Sequence, residues 1–449
     1  MIRWSPRSYV AGFRASVLAV LIVLAYFFLF SPRHDTKLLT STSSTPIATS
    51  ESCPGALSAE NVVVSIKTGA SEAAQKVPAL MQSSLRCAKN TFIFSDLEQD
   101  IGEYHVYDAL DTVPASMVNS NADFEFYRKQ RELWQTKQNI DTLKDAKTPK
   151  DPEGKPAAWT LDKYKFIHVL EKTWALKPNM DWYLLIDADT YIVWSNMLLW
   201  LESLDPNKKS YFGSEVSIGG VRFAHGGSGI VLSKGLMQEL LVTHNDTATR
   251  WDAQTAERCC GDLVLSMALG EYGIELQDAW PPMSGERPST VPFGPATPEY
   301  WCRPALSFHH LTPIDMKEFA QFEKSRLDKQ GPWTHADLFN DFVTGSLLDS
   351  RENWDNVASD PGEFGKTGGV QSDATSFEHC AQACEANKDC FQYSHHGNTC
   401  HIGMSVRLGY EKEVDQEGTW RSGWNKTRLA DWASKQPTCK TIAFPKQNN

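Results

Sequence analysis

Asp187-Ala188-Asp189 closes the apolar run from Trp182 to Ile186, WYLLI. Two carboxylates at i and i+2 behind a buried strand repel each other and resist leaving water, so they need a cation or protons. A hard divalent ion answers that need. Carboxylates suit Mg²⁺ or Mn²⁺, which keep positions open for water and phosphate oxygens. The same triplet also occurs as a solvated turn after a strand. His309 reads either as a metal ligand or as a satisfied core histidine, and its neighbour His310 is the weaker candidate. Asp262 reads either as a general base or as a carboxylate stabilised in the first turn of a helix. The glycines of Gly226-Gly227-Ser228-Gly229 allow a ligand close to the backbone, or simply a flexible start to a strand.

These residues need a scaffold, and the chain has the periodicity for one. Asn61 to Ile66 and Asn90 to Phe94 are short β-branched or aromatic runs that read as buried strands. Between them Ser71 can cap a helix running through Leu85. Residues 112–158 are polar and read as irregular, with an exposed Lys/Asp/Pro-rich excursion from Asp141 to Lys155. Trp159 to Trp174 has helical spacing, with Phe166, Ile167, Leu170 and Trp174 on one face. Tyr211-Phe212-Gly213 and Ile230-Val231-Leu232 add strands, and Cys260 to Leu269 starts as a helix with Asp262 in its first turn. The alternation predicts an α/β fold around a parallel sheet. After about Ser350 the composition changes, and Cys380, Cys384, Cys390 and Cys400 crowd together, which predicts a small disulfide-stapled module separate from the α/β core.

Composition narrows the class. The chain has 449 residues, 41% hydrophobic and 22% charged, enough to bury cores in two or three domains. Its net charge of -11 argues against a general nucleic-acid binder. The mean hydropathy of -0.39 excludes a polytopic membrane protein but allows one span. Ala15 to Phe30 is that candidate, preceded by Arg3, Arg7 and Arg14. It reaches roughly 24 Å at about 1.5 Å per residue, usable in a thin bilayer. Because no small-x-small cleavage site follows, the segment reads as a signal anchor in type II topology, with residues 1–14 cytosolic and 31–54 a Ser/Thr-rich stem. All ten cysteines follow the span and favour disulfides in an oxidising lumen, Golgi or endoplasmic reticulum. Cys259 and Cys260 are adjacent, so at most one of them easily reaches Cys302, which leaves the other open to pairing with a second subunit in a homodimer.

In chain order, Trp182 to Tyr191 (WYLLIDADTY), Tyr211 to Gly213 (YFG), Gly226 to Lys234 (GGSGIVLSK), Gly261 to Leu265 (GDLVL) and Leu306 to His309 (LSFH) resemble glycosyltransferase family 31, in its Fringe and core 1 β1,3-galactosyltransferase branch. The resemblance spans roughly residues 60–325. It implies a GT-A fold, placed at 55–345, with a UDP-sugar donor, Mn²⁺ or Mg²⁺, and inversion at the anomeric carbon. It implies metal ligation by Asp187, Asp189 and His309, and Asp262 as catalytic base. Thr68 and Gly69 fall near the uridine, Lys163 is a looser candidate for the phosphates, and Gly226 and Gly227 fall at the donor. Ala188 departs from the family's acidic triplet and puts metal affinity in question. Galactose and β1,3 linkage to a glycan or glycoprotein acceptor follow from the closer likeness to the core 1 branch.

Phe377 to Cys384, then Cys390 to Tyr393, then Cys400 resemble a PAN/Apple domain, placed at 350–440. Cys380–Cys400 and Cys384–Cys390 are the pairs expected there, although spacing does not fix connectivity. Two rival functions stay open at this point. A non-catalytic lumenal lectin or chaperone-like protein would use that module beside a degenerate α/β part, as Ala188 suggests. A metal-dependent hydrolase would need a second ligand cluster, and the sequence offers none.

Overall fold

The structure is a computed structural model and describes residues 59–148, 151–326, 331–360, 368–371 and 375–448. The anchor and stem expectations, residues 1–54, lie outside the described residues. Among the described residues no helix is long and apolar enough to cross a membrane.

The α/β part begins with β1 (Val62–Lys67), α1 (Ala70–Gln82), β2 (Asn90–Ser95), β3 (Gln99–Ile101) and β4 (Tyr104–Asp108). It continues with helices α2 (Glu125–Gln135), α3 (Ala157–Asp162) and α4 (Lys165–Leu176), then strands β5 (Trp182–Asp187), β6 (Tyr191–Ile192), β7 (Tyr211–Gly213) and β8 (Ile230–Ser233). Helix α5 (Gly261–Gly270), β9 (Leu276–Asp278) and β10 (Ser307–Phe308) complete it. Eight strands form the central sheet in the order β9-β7-β8-β5-β1-β2-β4-β3. It is mostly parallel, with β8 antiparallel to both neighbours and β3 antiparallel to β4. Helices flank it, consistent with GT-A.

Alternate side chains of a strand face opposite sides of a sheet. Val62, Val64 and Ile66 of β1, with Leu184 and Ile186 of β5, join one core together with Ala73, Val77 and Leu80 of α1. Val63, Tyr183 and Leu185 join the other with Phe166 and Leu170 of α4 and Val264 and Leu265 of α5. Burial on both faces explains the continuous apolar runs.

Local readings are corrected at three places. Helix α1 starts at Ala70 behind Gly69 rather than behind a Ser71 cap, because the Glu72 carboxylate takes the Gly69 N–H at 3.3 Å. Residues 112–158 are no irregular excursion throughout. They carry α2, and Phe124 and Tyr127 enter the second core. The Trp159–Trp174 segment breaks into α3 and α4. Gly261, the first residue of α5, packs into the break so closely that a Cβ would lie 2.4 Å from the Lys163 carbonyl oxygen.

The C-terminal module has an antiparallel sheet of five strands, β11 (Ser350–Glu352), β12 (Gly368–Gln371), β13 (Gln392–His396), β14 (Thr399–Gly403) and β15 (Arg421–Trp424), in the order β11-β15-β13-β14-β12. Helices α6 (Phe377–Ala386) and α7 (Lys426–Ser434) accompany it. Cys380 is bonded to Cys400 and Cys384 to Cys390. The module is not separate from the main core. Phe391, Val406, Leu408, Trp424 and Leu429 share one apolar cluster with Phe293, Trp301 and Phe339, and Cys302 is bonded to Cys439. Cys259 and Cys260 are bonded to each other. That pairing corrects the expectation of a Cys302 bridge and removes the spare thiol on which a homodimer was argued.

Candidate functional site

Parallel pairing of β1 with β5 sets Lys67 opposite Asp187 at the C-terminal edge of the sheet. The turn after β5 is closed by Thr190, whose N–H donates to the Asp187 carbonyl at 3.0 Å and whose hydroxyl takes the Asp187 N–H at 3.2 Å. The same hydroxyl donates to the Gly227 carbonyl at 2.8 Å and ties the acidic turn to the glycine run. Ala188 is buried in the apolar core, whereas the Asp187 and Asp189 side chains stay partly exposed. A carboxylate at position 188 would enter apolar surroundings at high cost. Ala188 thus points away from the side on which Asp187 and Asp189 meet His309.

Short strand β10 pairs with β6, Phe308 opposite Tyr191, and so delivers His309 to the acidic turn. Its Nε2 lies 3.2 Å from Asp189 Oδ1 and 3.9 Å from Asp187 Oδ2. The His309 N–H donates to the Glu286 carbonyl at 3.0 Å, and the Leu311 N–H donates to the Asp189 carbonyl at 3.1 Å. His310 between them has φ +61°, a left-handed conformation uncommon outside glycine. Asp189, His309 and His310 each present a ligand atom within 4.8 Å of the others. Gly227 makes room for the ring, since a Cβ there would lie 2.1 Å from His309 Cε1.

Cations, two of them buried, balance the acids. Lys67 Nζ sits 2.5 Å from Asp162 and 2.8 Å from Asp187. Burial alone would lower this ammonium, but the two carboxylates raise it above the ordinary lysine value. Lys165 donates to the Thr68 carbonyl at 2.7 Å and faces Asp96 and Asp162 at 3.4 Å. Lys76 reaches Asp189 at 3.2 Å. Burial pushes the Asp189 carboxyl up, yet His309 and then Lys76 hold it well below the usual carboxylate range.

Asp262 is buried in the first turn of α5. It accepts the Gly226 N–H at 2.9 Å and its neighbour Leu263 N–H at 2.8 Å. Burial raises its carboxyl above the ordinary value despite these amides. Consecutive glycines thus bring the two groups together, Gly226 holding Asp262 and Gly227 lying against His309. His225, just before them, has its ring 5.5 Å from that of His309, and burial, then the charge on His309, pushes its imidazole down to about 4.

Thr68 and Gly69 lie at the end of β1 beside Lys67. Lys163 does not join this group. Its ammonium pairs with Asp123 at 2.9 Å and donates to the Ala256 and Arg258 carbonyls, so it locks the helices together. The cations at the acidic strand end are Lys67 and Lys76. Sequence reading missed Lys67, Lys76, Asp162, Lys165 and His225. Only Lys67 carried a signal, an ammonium ending the otherwise apolar run VVVSI.

The residues present fit a divalent ion. A satisfied core histidine would have both ring nitrogens partnered. Instead His309 Nδ1 is buried with no hydrogen-bond partner among the described residues, and Nε2 faces carboxylate. Carboxylates with imidazole make a mixed oxygen and nitrogen set, and GT-A transferases commonly use such an ion. Comparison with known families agrees with the fold. The family model described as Fringe-like matches residues 57–278, ending on the last residue of β9 and leaving His309 outside. Residues 57–278 are thus Fringe-like, and a Fringe-like domain points to a glycosyltransferase.

Proposed function

We propose an inverting, metal-dependent transfer of a sugar, galactose as first choice, from a UDP-sugar to a glycan or glycoprotein acceptor in β1,3 linkage. The setting proposed is the Golgi or endoplasmic reticulum lumen, with residues 15–30 as a single type II anchor. The observation that carries the chemistry is the meeting of Asp189 with His309 at 3.2 Å, next to the residue whose amide holds Asp262.

Asp187, Asp189 and His309, with His310 beside them, would hold the ion. When bound, it supplies charge compensation for a diphosphate. Lys67 fixes Asp187 from behind, and Thr68 and Gly69 offer backbone at the donor edge. Asp262 is the base. The acceptor hydroxyl oxygen forms a bond to the anomeric carbon as its proton passes to the Asp262 carboxylate. The bond from that carbon to the UDP oxygen breaks, and its electron pair leaves with UDP. Attack from the face opposite UDP inverts the centre. The raised Asp262 carboxyl suits it to accept a proton near neutral pH better than an ordinary aspartate does.

The experiment is turnover of UDP-galactose, UDP-GlcNAc and UDP-glucose by the protein, with and without Mn²⁺, repeated with Asp189→Ala and Asp262→Ala. Loss in both variants supports the assignment, and undiminished turnover in both defeats it. The lectin-like rival is argued from Ala188, which lies in the apolar core. Calorimetry with UDP and Mn²⁺ separates the two, and heat from neither ligand favours the rival.

A further inference from the structure

We propose that Arg407 of the C-terminal module is a positioning residue for His309, so that the module forms part of the support of the metal site. This rests on the reading of Asp189 and His309 given under Proposed function. The path is short and continuous. Arg407 is almost fully buried, and its guanidinium meets Glu286 Oε1 at 3.2 Å and Asp360 Oδ2 at 3.0 Å. Its own backbone is pinned: the N–H donates to Gln392 Oε1 at 2.7 Å, and the carbonyl accepts from Trp424 Nε1 at 2.9 Å. Glu286 is gripped again by the Thr290 hydroxyl at 2.5 Å, and its N–H donates to the Ser284 hydroxyl at 3.1 Å. The carbonyl of this same Glu286 takes the His309 N–H at 3.0 Å. The next residue, Arg287, lies over the ring of Tyr410, also from the module, at 4.8 Å.

Backbone contacts run alongside. Phe293 and Val406 exchange N–H···O bonds at 2.9 and 2.6 Å, and the Gly409 N–H donates to the Ser289 carbonyl at 2.8 Å. Segment 286–293 therefore lies between the module and the metal-facing imidazole. The buried guanidinium is one of two groups that hold the Glu286 carboxylate, the other being the Thr290 hydroxyl, so removing it frees one of that carboxylate's two oxygens and leaves a gap beside segment 286–293. Outer partners that orient metal ligands typically carry about 10–100-fold in metal affinity.

The test is Mn²⁺ titration of the full chain, read by the loss of the free Mn²⁺ paramagnetic signal, together with hydrogen exchange at the His309 amide. Arg407→Ala is expected to weaken Mn²⁺ binding by about 10–100-fold and to speed exchange at that amide. Arg407→Lys restores binding only in part, since an ammonium cannot grip Glu286 and Asp360 with one planar fork. Arg428→Ala, which removes a clamp within the module on the Cys390 and Asn387 carbonyls, should leave Mn²⁺ affinity unchanged. If Arg407→Ala does not fold, Glu286→Gln is read in the same titration and should weaken binding in the same direction. Wild-type binding with unchanged affinity in the foldable variant overturns this inference alone. A wild type that binds no Mn²⁺ overturns the metal-site reading and this inference with it.

Discussion

The α/β part and the C-terminal module solve the same problem in opposite ways. The α/β part buries apolar side chains on both faces of an eight-stranded sheet. The module's own cluster is built around Cys380, Cys384, Cys390 and Cys400 with Ile402 and Tyr393. A domain with so little apolar interior needs covalent staples or a neighbour, and this module has both. It turns Phe391, Val406, Leu408 and Trp424 into the main core. The chemistry-bearing groups are confined to one of the two regions. The carboxylates and imidazoles sit at one edge of the large sheet, and the module contributes packing plus the Arg407 clamp.

Substitutions test that division. The largest effect is expected for Asp262→Asn, with turnover falling about 10²–10⁴-fold and some loss of stability, because the amide NH2 would face one of the two backbone N–H groups that the carboxylate accepts. The sign of the pH dependence follows from the raised carboxyl. Its contribution to stability is fully present below the unfolded-state pKa and is lost as pH rises through the higher folded value, so the wild type should lose stability across that window and the variant should not. For the wild type, the acid limb of the pH profile of kcat/KM should lie above the ordinary aspartate value, because the base must be ionised. A limb at or below that value would contradict the assignment.

Phe391→Ala tests whether the two regions share one core. A loss of about 3–5 kcal/mol, seen in denaturant unfolding as one transition, is expected. Two separated transitions would show independent domains. Paired Cys380→Ser and Cys400→Ser changes, which open a loop with a sequence separation of 20, should cost about 3 kcal/mol while Mn²⁺ affinity is retained. The smallest effect is expected for Gly227→Ala. Its methyl group meets the His309 ring, and displacement of that ligand should weaken Mn²⁺ binding about tenfold in the same titration.

Much of this was legible in the chain, and the misreadings share one cause. The strands were readable because burial on both faces leaves unbroken apolar runs. Residues 112–158 were misread because their burial depends on remote partners. Asp123 enters the interior only with Lys163 and Tyr164, and Gln130 only with Asp96. The assignment of Lys163 to phosphate failed for the same reason, since a lysine's role is set by which carboxylate reaches it first. Adjacent Cys259 and Cys260 gave no sign that they bond to each other.

Local sequence is enough to end a buried strand at Asp187 and Asp189, because an apolar run followed by two acids allows few other outcomes. It is also enough to place Asp262 at the opening of a helix and to mark the late cysteines as staples of a small module. The pairing of β6 with β10, which brings His309 to Asp189, is visible only in the folded chain. The same holds for Lys67 facing Asp187 and Arg407 gripping Glu286. Local patterns fix local conformation through nearby sterics and burial, whereas a site assembled from distant segments exists only once the sheet has set their register.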